Sequence, residues 1–224
     1  MRSYVLPSRE ECQRLIRECH VPVHIVKHAE AVAKLGVFLA ERLTDGGIDV
    51  DIPLVERACL LHDLFRVCDC PLEDFSCFEQ PVTDEDITRW RRLKAEHGHR
   101  RHEEAAYAFL EDKYPVLATT IHKHRYTAVI DEDDRPASWE EKLVYYADKR
   151  VMHDRIVPLR ERLDEAHERN TLLAKTSTSR RVDMEKKVDA EIFRLEEEIF
   201  NQIDLDPEEV THGLIDDYRA RDDG

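Results

Sequence analysis

Apolar residues recur along most of this chain at the three- and four-residue steps of amphipathic helices. From His24 to Leu43 they keep this spacing, and Thr44-Asp45-Gly46-Gly47 ends the pattern. Similar patterns predict helices over 54–66, 83–97, 102–113 and 116–126. No segment alternates apolar and polar residues in a way that indicates a β-strand. The chain is therefore predicted to adopt an all-α fold.

Two short motifs mark where helices begin. Ser8-x-x-Glu11 and Ser138-x-x-Glu141 have the spacing of capping boxes, in which the serine hydroxyl accepts a hydrogen bond from the first turn. The first motif predicts a short helix that runs to about Cys19. The second predicts the start of the helix that carries Asp148.

The last part of the chain has a different pattern. From Leu159 onward charged residues dominate, and two thin apolar stripes run over 159–166 and 188–203. This pattern predicts two further helices that form an antiparallel hairpin or arm. We therefore expect a main domain over 1–158 and a charged helical extension over 159–224, packed on that domain or projecting from it. The apolar stripe of the extension could also support a homodimer.

Composition and charge narrow the classes of function. Of 224 residues, 42% are hydrophobic and 37% charged, and the formal net charge is −15. Such a field repels the phosphate backbone of nucleic acids, so no nucleic-acid partner is expected, although a local basic pocket for a small phosphate is compatible with it. No apolar stretch has the length of a membrane span or the character of a signal peptide, which predicts a cytoplasmic protein without a membrane partner.

Six cysteines lie in the first part of the chain. In the cytosol they are expected to stay reduced. Cys68, Cys70 and Cys77 form a C-x-C-x6-C cluster that could bind zinc, although its spacing is not that of a common zinc knuckle.

The pair His62-Asp63 is the strongest sign of chemistry. It interrupts the otherwise apolar run from Ala58 to Phe65, where burying an ionised carboxylate is costly unless the carboxylate is paired. On a helix the two side chains would point about 100° apart, yet both could reach one metal ion, or two ions with the aspartate between them. A buried histidine satisfied by the backbone, with an aspartate paired to an arginine, explains the pair equally well.

Four more residues of these types fall on or beside the inward faces of predicted helices: His28, His102, His124 and Asp148. Helical phase places His124, rather than His122, on an inward face. His102 starts an apolar stripe, whereas His97 and His99 do not. Each residue alone is more often a satisfied core group than a ligand. Five helices that each direct such a residue inward are better explained by a shared metal centre.

The order of these residues resembles the H…HD…D pattern of the HD-domain superfamily of metal-dependent phosphohydrolases. Leu60-Leu61-His62-Asp63-Leu64-Phe65-Arg66 is similar to the L-L-H-D segment of that family, and Tyr146-Ala147-Asp148-Lys149 to its A-D-K element. His102-Glu103-Glu104-Ala105-Ala106 resembles its H-G-x-x-G-A helix, but the family glycines are missing. The resemblance covers roughly residues 20–165 and implies an HD-domain helical bundle.

The two-metal members of that family, such as the symmetrical diadenosine tetraphosphate hydrolases, have further histidines that match His102 and His124. The resemblance therefore implies two divalent ions, which could be Mn, Fe, Ni, Co or Mg. In that arrangement His28, His62 and Asp148 hold one ion, His102 and His124 hold the other, and Asp63 bridges them.

The resemblance further implies a phosphohydrolase or phosphodiesterase that acts on a nucleotide or other small phosphoester, with Asp63 in the catalytic centre and a water activated by the ions. Arg66 and Lys149 could bind substrate phosphate, and surface ion pairs are the equal alternative. Further positive charge around the pocket could come from Lys123, Arg125 and Arg150. Two other functions stay open: an HD-fold di-iron oxygenase, and a non-catalytic sensor that binds a metal–nucleotide complex.

Overall fold

A computed structural model describes residues 4–72, 75, 78–174 and 179–222, with the backbone alone for 172–174, 179–180 and 221–222. The described residues form ten α-helices: α1 (Arg9–Glu18), α2 (Val23–Asp45), α3 (Ile52–Leu61), α4 (Asp84–His97), α5 (His102–Leu110), α6 (Pro115–His122), α7 (Trp139–Arg150), α8 (Leu159–Ala174), α9 (Ser179–Phe200) and α10 (His212–Asp222). The predicted all-α fold is confirmed. None of the described helices combines the length and the apolarity that a membrane crossing requires.

A very small hairpin joins α7 to α8. Its strands, β1 (Val151–Met152) and β2 (Arg155–Ile156), pair antiparallel, and His153 in the turn has a positive φ of 58°. The expectation that the chain contains no strand is wrong at this place. Strands of two residues are too short to show the alternation from which a strand is predicted.

The capping box at Ser138 is confirmed in both directions and the motif at Ser8 in its serine bond, but three helices end earlier than expected. The Ser8 and Ser138 hydroxyls accept hydrogen bonds from the backbone N–H groups three residues later, at 3.1 and 3.2 Å. Helix α3 ends at Leu61, α5 at Leu110 and α6 at His122. Short 3-10 helices, Arg66–Asp69 and Tyr126–Ile130, follow α3 and α6. The chain therefore leaves its helices just before His62-Asp63 and before His124.

Helix α2 lies at the centre of the core and packs most extensively against α3 and α7. Gly36 permits the close approach of α2 to α3, because a Cβ atom at this position would lie 2.9 Å from Cys59 Sγ and 3.2 Å from Val55 Cγ1. His28 lies near the start of α2 and His62 just beyond the end of α3. Packing of these two helices therefore brings their histidine-bearing ends together.

The C-terminal helices pack on the rest of the molecule. Buried side chains of α8, α9 and α10 belong to one continuous apolar cluster with the earlier helices: Leu163, Val188, Ile192 and Ile215. Arg150, buried at the end of α7, donates hydrogen bonds to the backbone carbonyls of Val157, Pro207 and Val210. The division into two domains and the homodimer stay predictions.

Candidate metal centre

All six predicted ligand residues lie in one cluster: His28, His62, Asp63, His102, His124 and Asp148. They form three overlapping groups in which potential ligand atoms lie within 4.8 Å of one another, namely His28/His62/Asp63, His62/His124/Asp148 and Asp63/His102/His124. Each group could hold a metal ion. The prediction of buried His and Asp clusters suited to metal is thus confirmed, whereas the number and identity of the ions stay predictions.

His28, His62 and Asp148 form the part of the cluster that we call the first half. His28 Nε2 lies 3.1 Å from Asp148 Oδ1, and His62 Nε2 lies 3.6 Å from the same oxygen. The Nδ1–H of His28 donates to the carbonyl of His153 at 2.7 Å, and that of His62 to the carbonyl of Cys59 at 2.8 Å. Because a carbonyl only accepts, both rings carry a proton on Nδ1, and both turn Nε2 toward the carboxylate of Asp148.

His102 and His124 form the second half, beside Asp63. His102 Nε2 lies 3.1 Å from Asp63 Oδ1, and His124 Nε2 lies 3.8 Å from it. His124 donates its Nδ1–H to the carbonyl of Ile121 at 2.6 Å. His102 differs, since its Nδ1–H donates to the carboxylate of Asp69 at 2.6 Å. All four imidazoles are therefore held through Nδ1 and present Nε2 to the centre.

Asp63 lies between the two halves. Its Oδ2 is 3.7 Å from His62 Nε2, while its Oδ1 faces the histidines of the second half. The prediction that His62 and Asp63 both stand on a helix is wrong: tight turns follow Leu61, with hydrogen bonds from Leu64 N to Leu61 O and from Arg66 N to Asp63 O. These hydrogen bonds span three residues, as in a 3-10 helix, and wind the backbone after α3 more tightly than an α-helix. The Asp63 carboxylate then turns Oδ2 toward the first half and Oδ1 toward the second half.

One buried atom indicates that the cluster suits a metal ion. His62 is fully buried, and its Nε2 has no hydrogen-bond partner among the residues that the structure describes. An unsatisfied buried polar atom costs about 1–3 kcal/mol. A cation bound between His62 and the two carboxylates would satisfy this nitrogen, so the residues fit the ion that the motifs imply.

Both carboxylates of the centre favour the ionised form that metal binding needs. Burial alone would raise the pKa of Asp63, but His62 and Arg66 outweigh it and hold the pKa of that carboxyl well below its usual range. Burial is likewise outweighed at Asp148, whose pKa is held well below its usual range chiefly by Lys149. Two negative charges are thus present at neutral pH.

The pKa values of the two histidines of the second half are shifted in opposite directions. Burial alone would lower the pKa of His102, but its hydrogen bonds to Asp63 and Asp69 raise it to about 9. Burial lowers the pKa of His124. Their Nε2 atoms are 3.1 Å apart. One proton on His102 therefore occupies the position where an ion would bind, and metal must displace it.

The competing histidines lie at different places in the structure. His124 is buried in the cluster, whereas His122 lies outside it, with its Nε2 3.5 Å from the carboxylate of Asp134. His102 lies in the cluster, and His97 belongs to none of the metal-type groups among the described residues. The preference for His124 and His102 thus agrees with their placement, although α6 ends before His124 and its phase does not extend that far.

A cavity of about 210 Å³ opens beside the cluster. Five of the six predicted ligands line it, and His62 lies behind them. Arg66 and Lys149 line it as well. Lys149 Nζ donates to the His124 carbonyl at 2.9 Å and contacts Asp148, while Arg66 Nη1 lies 3.2 Å from His102 Nδ1. Both predicted phosphate-binding residues therefore have their cationic groups at the cavity.

Of the three further cations that were expected around the pocket, only Arg125 lines this cavity. Lys123 binds Glu141 at 2.9 Å. Arg150 is only 1% exposed and is occupied by carbonyls of the C-terminal segment. At the end of α7 the Arg150 side chain points into the core, and the Lys123 ammonium is paired with Glu141. The expectation that these two residues add positive charge around the pocket is therefore wrong.

Sequence reasoning missed two contributions to the site. Asp69, which orients His102, lies in a 3-10 helix without a recognisable motif. Helix α8 lines the cavity with residues that include Arg162 and Arg169. These two arginines are seven residues apart and so share a helix face, but the same spacing is found on solvated helix faces.

The cysteine cluster lies apart from this centre. Cys77 is outside the described residues, Cys68 is buried and Cys70 is partly exposed. None of the potential metal groups within the described part of the chain contains a cysteine. A zinc site at these cysteines stays a prediction.

No family model matches this chain, and neither the curated proteins nor the solved structures compared with it include a match. The resemblance to HD-domain hydrolases therefore rests on the sequence motifs alone. Membership of that family stays a prediction.

Proposed function

We propose that this chain is a metal-dependent phosphohydrolase or phosphodiesterase that acts on a nucleotide or another small phosphoester. One observation carries the proposal: four imidazoles, each held through Nδ1, present Nε2 to two ionised carboxylates at the wall of a cavity. Imidazole and carboxylate ligands together suit Mn, Fe, Co and Ni. The guanidinium and ammonium groups in the same cavity are suited to phosphate oxygens.

The proposed roles follow from the two halves of the centre. His28, His62 and Asp148 would hold one ion, His102 and His124 the other, and Asp63 both. Bound ions of this kind lower the pKa of a water molecule and polarise phosphoryl oxygens. Arg66 and Lys149 would orient the substrate phosphate. The described residues lining the cavity include no serine, threonine or cysteine, and the proposed nucleophile is a water molecule activated by the ions.

The test is a screen of phosphoesters and nucleotides with Mn, Ni, Co, Mg and Fe(II), run beside Asp63→Ala. Because Asp63 serves both halves, we expect its loss to lower metal-dependent release of phosphate or nucleotide at least about a thousandfold. Asp164→Ala, at an exposed position of α8, is the matched control and should retain full activity. Circular dichroism melts would confirm that both variants fold. Substantial metal-dependent activity in Asp63→Ala would sink the proposal.

The iron content of the protein tests the alternative of a di-iron oxygenase. The same ligands suit a di-iron oxygenase, so anaerobically purified protein should be analysed for iron and tested for dioxygen consumption. Consumption of dioxygen with organic substrates, without phosphoester hydrolysis under any metal, would replace the hydrolase proposal. Tight nucleotide binding without turnover across all five metals would likewise indicate a sensor.

A further inference from the structure

Helix α8 forms a second wall of the cavity, apart from the candidate ligands. The residues that line it share one helix face: Arg162, Leu163, Ala166, His167, Arg169 and Asn170. Leu163 and Ala166 make the middle of this face apolar. Arg162 and Arg169 place a guanidinium on each side of it, and the helix thus adds positive charge to the cavity from the C-terminal part of the chain.

The two guanidiniums converge on a single carboxylate. Arg162 Nη1 lies 3.1 Å from one oxygen of Glu165, and Arg169 Nη1 lies 3.0 Å from the other. Arg162 is anchored further, because its Nε donates to the carbonyl of Val151 at 2.8 Å. One negative charge therefore serves two positive charges at this wall.

Each of the other cations of the cavity lies near at least one carboxylate, although Asp69 and Asp148 also contact histidines of the centre. Lys149 contacts Asp148, Arg125 contacts Asp131 and Asp134, and Arg66 lies 3.6 Å from Asp69. The excess positive charge of the cavity thus lies at the α8 pair. In a chain with a net charge of −15, such an excess is a local feature that needs its own explanation.

Repulsion between positive charges at Arg169 agrees with the arrangement of guanidiniums around the cavity. Burial lowers the pKa of Arg169, Glu165 opposes the change, and the positive charges of Arg162 and Arg66 lower it further. Arg66 belongs to the part of the cavity beside His102, so the three guanidiniums act on one another across the cavity. A bound anion would relieve this repulsion.

We propose that Arg162 and Arg169 bind a second anionic group of the substrate, and that the preferred substrate is a phosphoester or phosphoanhydride that carries a further phosphate. The inference rests on the proposed function for the phosphate at the metal centre. Guanidinium forks bind phosphate oxygens in pairs, which suits this second group. A simple monoester would leave the α8 wall without a partner.

The test compares two probes, pyrophosphate and orthophosphate, by isothermal titration calorimetry of the protein as isolated. Arg169→Gln and the double variant Arg162→Gln/Arg169→Gln should lower the affinity for pyrophosphate about tenfold or more, because charged hydrogen bonds are lost. The affinity for orthophosphate should change less than about threefold. Arg160→Gln is the matched control on the same helix, because its guanidinium lies over the Phe193 ring, 4.8 Å from the centroid, and does not line this cavity.

The single variant guards against indirect damage, since Arg162 also holds the hairpin through Val151. Equal affinity of wild type and Arg169→Gln for pyrophosphate would overturn the inference, as would equal losses for both probes. The measurement is repeated with methylenediphosphonate, a pyrophosphate analogue that cannot be hydrolysed, so binding is separated from turnover and the two proposals fail separately. Selective loss of pyrophosphate binding with no hydrolysis of any phosphoester would retain the anion site and reject the hydrolase.

Discussion

The two halves of the candidate centre differ in how they obtain negative charge. The first half has its own carboxylate, Asp148, and also shares Asp63. The second half has Asp63 nearest to its Nε2 atoms, while Asp148 lies within 4.8 Å of His124 and Asp69 acts from behind the His102 ring. Cations do not distinguish the halves, because Lys149 contacts the first and Arg66 lies against the second. We therefore expect the first half to bind its ion more tightly.

The helices and hydrogen bonds that hold the two halves also favour tighter binding in the first half. The first half is carried by α2, α3 and α7, which pack on one another in the core, and backbone carbonyls fix its two imidazoles. The second half is carried by the shorter helices α5 and α6. His102 is oriented by Asp69, a side chain that is 36% exposed. A side chain rotates away more easily than a backbone carbonyl does, so the second half should lose its ion first.

Removing one histidine from each half gives the largest expected contrast. His28→Ala should weaken the tighter ion at least about a hundredfold, because a ligand contributes more than the groups that orient it. His102→Ala should leave that ion in place and reduce Mn from two ions per chain to one. Metal content after dialysis, together with titration calorimetry, measures both effects. Loss of the tighter ion in His102→Ala, with retention in His28→Ala, would reverse the comparison.

Metal should stabilise the fold, mainly through the first half. At an ion concentration of about a hundred times Kd, binding to the folded state adds about 2.7 kcal/mol to the free energy of unfolding. For a chain of this size that corresponds to a rise in Tm of roughly 5–10 °C. Differential scanning calorimetry with and without Mn measures it, and His102→Ala should keep most of the rise. An unchanged Tm in the wild type would show that the metal groups do not bind Mn.

How well each residue of the centre could be predicted depends on the sequence feature that determines its position. His28, Asp148 and His102 stand on helices, so the phase of the surrounding apolar residues places them inward. His62 and Asp63 were found as polar residues in an apolar run, but the turn that separates their side chains was not, because helix ends depend on tertiary packing as well as on local residues. The motif order implied one centre without relying on those ends.

The contributions that were missed come from side chains whose roles depend on partners distant in sequence. Asp69 acts only because α5 brings His102 to it, 33 residues later. The arginines of α8 look like ordinary solvated charges until the helix packs beside the cavity. A charged residue has no sequence signal that distinguishes a surface ion pair from a pocket wall, whereas an apolar stripe has a period.

The smallest predicted effect tests Asp69 as the group that orients His102. Asp69→Asn should weaken the second ion about tenfold and leave the first unchanged, because groups that orient ligands contribute about 10–100-fold to metal affinity. The loss should stay at the lower end of that range: the asparagine oxygen still accepts the Nδ1–H, and Glu103 lies 3.2 Å from the same nitrogen. Two-site titration calorimetry with Mn resolves the change, with the exposed Asp164→Asn as the matched control. Equal weakening of both ions would mean that the halves are one cooperative unit, and the comparison between them would fail.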